Sequence, residues 1–234
     1  MDEEDSVLDF NFWPSFSDLM LSLVLILILV LFLVAAVITG GTVDLSHVER
    51  NQASMINTIA EIYRVKPQPI DRDTYGISIQ GNGVYDILIK NEPMLQKLAF
   101  SNHILFPPDR CELSERGQTL LRNVGETLRN QLSIIREIQI QGHADPVPSR
   151  IYSSNLELAA NRAMNVYKFF QINIGIDPAS HLMSATSFGE FKPVQRSEED
   201  MEFSRAKLDL SNATDELMTR NRRIELLLFY KFRR

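Results

Sequence analysis

The most apolar segment of the chain lies close to its N-terminus. Residues 19–38 carry no charge, and Ser22 is the only polar residue among them. At a rise of 1.5 Å per residue, about 20 residues cross the roughly 30 Å hydrocarbon core of a bilayer. The residues before this run are acidic, and the run is longer than the core of a signal peptide. We therefore predict an uncleaved transmembrane helix over residues 12–39.

An amphipathic pattern, less apolar than the first, follows the predicted transmembrane helix. Gly40 and Gly41 can end that helix, and apolar residues then recur at helical spacing among polar ones. These apolar positions are Val48, Met55, Ile59 and Ile62. We predict an amphipathic connector over residues 40–70.

The remaining residues, 71–234, alternate between strand-like and helix-like patterns. Ser114 is a good N-cap for a helix ending near residue 131, and a second helix covers residues 156–172. The predicted strands are residues 75–80, 84–89, 103–106, 135–142, 181–189 and 222–230, with a GNG turn between the first two. The charged segment 192–220 is predicted to be solvated or helical. The fold class is therefore α+β, with a single N-terminal transmembrane helix followed by a mixed-sheet α/β sandwich domain.

Composition narrows the function classes. The net charge of −6 gives no reason to expect a nucleic-acid partner, and the single cysteine, Cys111, excludes an intrachain disulfide. The four histidines lack metal-ligand spacing, and no nucleotide-binding or hydrolase motif occurs. We expect no cofactor, no metal and no enzymatic activity.

One ionisable side chain, Asp18, stands at the head of the apolar run. It shares a helix stripe with Ser15 and Ser22, about 7 Å inside the level of Phe12 and Trp13. A carboxylate facing lipid costs roughly 3 kcal/mol or more, so Asp18 should face protein or a water-lined path and could carry a proton. Alternatively it is a hydrated boundary residue favoured by the helix dipole. Ser22 either helps to hydrate the path or bonds back to its own helix.

Five ordered motifs carry a family resemblance over residues 106–230. The motifs LSERG, IQGHAD, NLELAANRAMNVYKFF, FGEFKP and NRRIEL resemble the peptidoglycan-binding domain of the OmpA/MotB family. The N-terminal FWPSFSDLM resembles the start of the membrane helix in ion-driven stator B subunits, namely flagellar MotB and the ZorB subunit of Zorya anti-phage systems. The spacing from Trp13 to Asp18 is closer to that of ZorB.

The resemblance implies a B subunit of a rotary motor in the bacterial inner membrane. Two B subunits would form a homodimer within a ring of five multi-span A subunits of the MotA or ZorA type. Asp18 would carry the ion, either H⁺ or Na⁺. Residues 1–11 would be cytoplasmic, residues 40–70 would form a plug or a stalk, and residues 71–234 would be a periplasmic OmpA-like domain. The alternatives are a flagellar stator subunit, a passive membrane-tethered wall anchor and an ExbD-like energy transducer.

The same resemblance implies peptidoglycan contacts. Asp145 matches the aspartate of the family motif GHTD, and Arg162 matches the arginine of LSxxRA. These two residues would hold the charged groups of diaminopimelate in the stem peptide. The further site residues that the resemblance implies are Asn155, Arg222 and Arg223.

The chain departs from these motifs in three ways. Ala144 replaces the family threonine, Ala159 replaces the family serine, and the loop before Asn155 is about two residues longer than in a typical member. These changes make the pocket less polar. The alternative is an internal salt bridge between Asp145 and Arg162 in a dimerisation or protein-docking module.

Overall fold

The structure, a computed structural model, describes residues 13–79, 85–197 and 200–231, and residues 38–44 by their backbone alone. The predicted cytoplasmic segment 1–11 and the GNG turn lie outside the described residues. The chain divides into two compact units, Met1–Ser46 and His47–Arg234. Each unit is described by itself.

The first unit contains the apolar part of helix α1 (Trp13–Tyr63). Its stretch Trp13–Val37 has a mean hydropathy of 3.3, and none of it is buried by the rest of the chain. This stretch is long and apolar enough to cross a membrane, which agrees with the predicted helix. Trp13 and Phe16 form an edge-to-face aromatic pair near its start.

The second unit is built on one mixed sheet. Its strands are β1 (Gln68–Asp71), β2 (Thr74–Ile77), β3 (Ile87–Glu92), β4 (Leu95–Ser101), β5 (Ile135–His143), β6 (Leu182–Gly189) and β7 (Arg223–Tyr230). Their order in the sheet is β1-β2-β3-β4-β7-β5-β6, and only β5 and β6 pair in parallel. The predicted α+β fold is confirmed.

The other helices lie between the strands in sequence. They are α2 (Asn102–Leu105), α3 (Glu115–Arg129), α4 (Asn155–Phe169), α5 (Arg205–Leu210) and α6 (Asp215–Asn221), and the π-helical turn Phe170–Ile174 continues α4. The predicted cap is confirmed, because Ser114 accepts a hydrogen bond from the backbone N–H of Gly117 at 2.9 Å. Helices α5 and α6 occupy the charged segment that was predicted to be solvated or helical.

Part of the predicted connector belongs to the folded core of the second unit. Val48, Met55 and Ile59, three of the four predicted apolar positions, are buried in the cluster that α3, α4 and the sheet also form. The Gln52 side chain donates hydrogen bonds to the carbonyls of Glu92 and Leu95. This polar contact ties the helical residues 47–63 to the turn between β3 and β4.

The strand predicted at residues 103–106 is wrong, because residues 102–105 form the short helix α2. The strand of this region lies earlier, at β4, which the sequence analysis missed. Gln96 obscures the alternation of β4, because this polar residue is fully buried on the core side. Its amide donates to the Gln52 carbonyl at 3.0 Å, and it accepts from the Tyr230 hydroxyl at 3.1 Å.

A close approach between β5 and α4 sets the position of the loop that joins them. A Cβ atom on Gly142 would lie 2.1 Å from the carbonyl oxygen of Ala159. Real contacts of this kind are never so short, so only glycine permits this packing distance. The small Ala159, which is fully buried, lies on the other side of the contact.

We predict that Gly142→Ala lowers the free energy of unfolding by about 2 kcal/mol or more, because the added methyl group must push α4 away from β5. Urea unfolding, followed by the loss of sheet circular dichroism, measures this change. Ser184→Ala on β6 is the control and should change stability by less than about 1 kcal/mol. Equal stability of Gly142→Ala and the wild type would contradict the close packing.

A buried charged cluster lies on the sheet face opposite the core. Arg223 Nε donates to Glu225 Oε1 at 2.6 Å, and both side chains are almost fully buried. Burial is the largest single influence and raises the pKa of Glu225, but the nearby basic groups, Arg223 first and then His143 and Lys97, together outweigh it, and the pKa falls to about 2. Burial, reinforced by Arg223, lowers the pKa of the neighbouring His143 to about 3. His143 is therefore neutral in the folded protein, stacked on Phe188.

The lowered pKa of His143 predicts acid sensitivity. As the pH falls below about 6.5, His143 binds a proton in the unfolded chain but stays neutral in the native state. The free energy of unfolding therefore falls by up to about 1.4 kcal/mol per pH unit. Glu225 adds to this loss only below about pH 4.5, where its unfolded form protonates. Between pH 7 and pH 5, the wild type should lose about 2 kcal/mol more than His143→Gln in urea unfolding. Equal losses would show that His143 titrates normally.

Candidate functional site

The candidate site is built on the loop between β5 and α4. Asp145 follows β5 and is buried, and its carboxylate Oδ1 accepts the backbone N–H of Val147 at 3.3 Å. Asn155 begins α4, and its side-chain amide donates to the Asp145 carbonyl at 3.0 Å. Asn155 therefore holds the loop at Asp145, while Ser154 caps the helix by accepting the Glu157 N–H.

An ion pair joins this loop to the start of β7. Arg222 Nη1 donates to Asp145 Oδ2, and Arg222 Nη2 donates to Thr219 Oγ1 at 2.7 Å. The Arg222 side chain is 40% exposed and the Asp145 side chain 7%, so the pair lies at the edge of the solvent. A charge-assisted contact in this setting keeps the carboxylate oriented.

Arg162 reaches the site from α4. Its Nε donates to the Arg110 carbonyl at 2.8 Å, and its guanidinium carbon lies 5.2 Å from the centre of the Phe106 ring. In the described part of the chain its two terminal nitrogens make no hydrogen bond, although the residue is only 5% exposed. Burial lowers the pKa of Arg162, and the charge of Asp109 opposes this effect.

The segment around Asp109 is the part of the site that the sequence analysis missed. Asp109 has a left-handed backbone, with φ of 54°. Its carboxylate accepts the Ser149 hydroxyl at 2.7 Å and the Arg150 N–H at 2.9 Å, and these two bonds lower its pKa. The Tyr152 hydroxyl also donates to Cys111 Sγ at 2.9 Å. The longer loop is therefore attached to this segment, and the only signal in the sequence was the Pro-Pro-Asp turn before Arg110.

These groups surround one cleft of about 540 Å³. The residues around it include Phe106, Asp109, Asp145, Asn155, Arg162 and Arg222. Of the predicted wall contacts, the structure brings Asp145, Asn155, Arg162 and Arg222 together. Arg223 faces the opposite side of the sheet, where it pairs with Glu225.

The alternative salt bridge between Asp145 and Arg162 is not the arrangement observed among the described residues. Asp145 pairs with Arg222, and Arg162 bonds to a backbone carbonyl. The cleft therefore contains an anionic and a cationic group that do not neutralise each other directly. Such a pair can hold an ammonium and a carboxylate of one zwitterionic ligand.

The other predicted site residues belong to the first unit. Asp18 and Ser22 lie within the exposed apolar stretch of α1. The Ser22 hydroxyl donates to the Leu19 carbonyl at 2.9 Å, which is the back-bonding alternative. Among the residues that the structure describes, no group of three or more His, Cys, Asp or Glu side chains could hold a metal ion.

Comparisons with solved structures show the fold. A protein described as MotB-like from Desulfovibrio vulgaris aligns with a TM-score of 0.59 and 22% identity, covering 82% of this chain and 99% of its own. The periplasmic domain of Helicobacter pylori MotB aligns with a TM-score of 0.52 and 18% identity, covering 68% of this chain and 89% of its own. A search of curated proteins found no match.

The part of the chain that matches a protein family includes several residues of the cleft. Residues 105–207 match the OmpA family. This range includes Asp109, Asp145, Asn155 and Arg162, while Arg222 lies beyond it. This match covers less than half of the chain, which shares its fold with MotB-like proteins.

Proposed function

We propose that this protein is the B subunit of an ion-driven membrane motor, which carries the ion on Asp18 and anchors the motor to peptidoglycan. The observation that supports this proposal most is that one chain contains both a membrane-length helix and an OmpA-like domain. A helix of membrane-spanning length has a carboxylate at its head, and an OmpA family domain has a cleft with an under-bonded guanidinium.

The membrane helix supports the ion-carrying half of the proposal. Asp18 is the only charged residue in Trp13–Val37, and no side chain of its own unit buries it. A carboxylate so placed needs a protein partner or a water-lined path. A ring of A subunits of the MotA or ZorA type around a homodimer of this chain would provide one, and the proton is the ion we favour.

The cleft supports the wall-anchoring half. Arg162 is buried, and its terminal nitrogens have no partner in the described residues, so a bidentate carboxylate would satisfy them. Asp145 can accept an ammonium beside Arg222. A stem peptide with a free ammonium and a free carboxylate carries both groups. Ala144 and Ala159 are buried and leave both charged side chains in place.

We propose a single-pass arrangement in the bacterial inner membrane, with residues 1–11 in the cytoplasm and the domain of residues 71–234 in the periplasm. The spacing of Trp13 and Asp18 favours a Zorya-type anti-phage system over a flagellar stator. A domain of this family acts as an anchor, so we propose no enzymatic activity. The connector, residues 40–70, would form a stalk rather than a plug, because part of it packs into the core of the second unit.

We predict that Asp18→Asn abolishes motor function, because the amide cannot take up and release a proton. Proton flux into vesicles that contain this chain and its A subunit should fall to background, as should protection of the host cells against phage. Ser15→Ala, on the same stripe, is the control. Membrane insertion and co-purification with the A subunit should be unchanged in both variants. Normal flux in Asp18→Asn would leave the protein a passive wall anchor.

We predict that Arg162→Lys weakens binding to purified peptidoglycan sacculi by about tenfold or more. Lysine keeps the charge but loses the two-pronged contact with a carboxylate. Asp145→Asn should weaken binding similarly, because it removes the negative charge that holds the ammonium. Glu126→Gln, at an exposed position of α3, changes the net charge by the same amount as Asp145→Asn and is its control, while Arg162→Lys leaves the net charge unchanged. Retained binding by both site variants would assign the cleft another role.

A further inference from the structure

A second cleft lies on the face of the sheet that points away from the core. It measures about 690 Å³ and lies over β3, β4 and β7 beside the segment 192–197. On these strands the residues that line it alternate with core residues, as Lys97 does with Leu98. It shares no lining residue with the cleft that contains Asp145. We call it the basic cleft.

The charges of the basic cleft oppose those of the whole chain. Six basic residues line it, against the two acidic residues Glu92 and Glu225, although the chain has a net charge of −6. The basic residues are Lys90, Lys97, Lys192, Arg196, Arg220 and Arg223. Both carboxylates are already paired, Glu92 with Lys90 at 2.7 Å and Glu225 with Arg223 at 2.6 Å. The local field therefore favours an anion.

The floor of the basic cleft holds polar groups that the described residues do not satisfy. The Lys97 side chain is only 23% exposed, yet its ammonium makes one long ion pair, 3.9 Å to Glu225 Oε2, and no hydrogen bond. Glu225 Oε2 is buried and has no hydrogen-bond partner within the described residues, although His143 Nε2 lies 3.7 Å away.

An unsatisfied donor and an unsatisfied acceptor that lie together at the floor of a cleft indicate a missing partner. The Lys97 ammonium lacks a hydrogen-bond acceptor, whereas Glu225 Oε2 lacks a hydrogen-bond donor. A plain anion would satisfy Lys97 alone. A phosphate ester that also carries a hydroxyl group would satisfy both kinds of group, because its phosphate accepts and its hydroxyl donates.

We propose that the basic cleft binds a hydroxyl-bearing phosphate ester. Lys97 and the exposed Arg220, at the end of α6, hold the phosphate, and Glu225 accepts from the hydroxyl after a small movement of the Lys97 side chain. Glycerol phosphate has this chemistry, both as a free metabolite and as the headgroup of phosphatidylglycerol. The site is independent of the proposed wall contacts and of Asp18, so either proposal can fail alone.

The test uses the full chain in phosphatidylcholine nanodiscs, titrated calorimetrically with glycerol 3-phosphate at about 0.15 M salt. Lys97→Gln and Arg220→Gln should each weaken binding by about tenfold, since each removes a charge-assisted contact. Arg220→Gln is the safer variant for folding, because Arg220 is exposed. Lys168→Gln, on α4 outside the basic cleft, removes the same charge and should leave affinity unchanged. Sulfate, which carries no hydroxyl donor, should bind more weakly than glycerol 3-phosphate.

A second arm separates the two sources of the ligand. If the headgroup is the source, nanodiscs of phosphatidylglycerol raise the thermal unfolding temperature of the wild type and not of Arg220→Gln. If the free ester is the source, the disc lipid makes no difference and only the titration shows binding. The absence of both effects overturns the proposal, as does an equal loss of affinity in Lys168→Gln. Peptidoglycan binding by Arg220→Gln should be normal throughout.

Discussion

The central position of strand β7 is the constraint on which the arrangement of charged groups depends. It pairs with β4 on one side and with β5 on the other, so its residues are fixed on both edges. Successive side chains of a strand point to opposite faces. At its start, Arg222 therefore reaches Asp145 in one cleft, while Arg223 reaches Glu225 beneath the other. A shift of one residue in this register would turn Arg222 away from Asp145 and would carry the Arg223–Glu225 pair to the core face of the sheet.

The buried charges of the domain are organised around this strand. Burying an ion costs several kcal/mol unless a partner offsets the loss of hydration. Glu225 has such a partner in Arg223, and His143 avoids the cost by remaining neutral. Arg162 is different, because the described residues satisfy only its Nε. Its two terminal nitrogens are not among the buried unpaired atoms, so solvent reaches them from the cleft that Arg162 lines.

The two units differ in how their apolar residues are covered. The apolar stretch of α1 has nothing of its own unit to cover it and needs lipid or partner helices. The second unit buries its own core, including Val48, Met55 and Ile59 from the helical residues 47–63. The boundary at residue 47 lies inside the predicted connector, so the folded unit includes part of a segment that its sequence pattern assigned to a linker. The sequence predicted the amphipathic stripe of the connector, but not that this stripe packs against the core of the folded domain.

Local signals determined much of the fold. Unbroken apolarity predicted the N-terminal helix, the Ser114 cap predicted α3, and period-two alternation predicted the hairpin of β2 and β3. Strand β4 was missed because Gln96 occupies a core position that only distant partners, Gln52 and Tyr230, make tolerable. The motifs also drew attention to Asp145, Asn155, Arg162 and Arg222, which the structure gathers around one cleft. The tertiary structure alone decided that Asp145 pairs with Arg222 and not with Arg162, that Asp109 holds the longer loop, and that a basic cleft forms on the open sheet face. These contacts join residues far apart in sequence, and their geometry is set by strand order and packing, which no local pattern encodes.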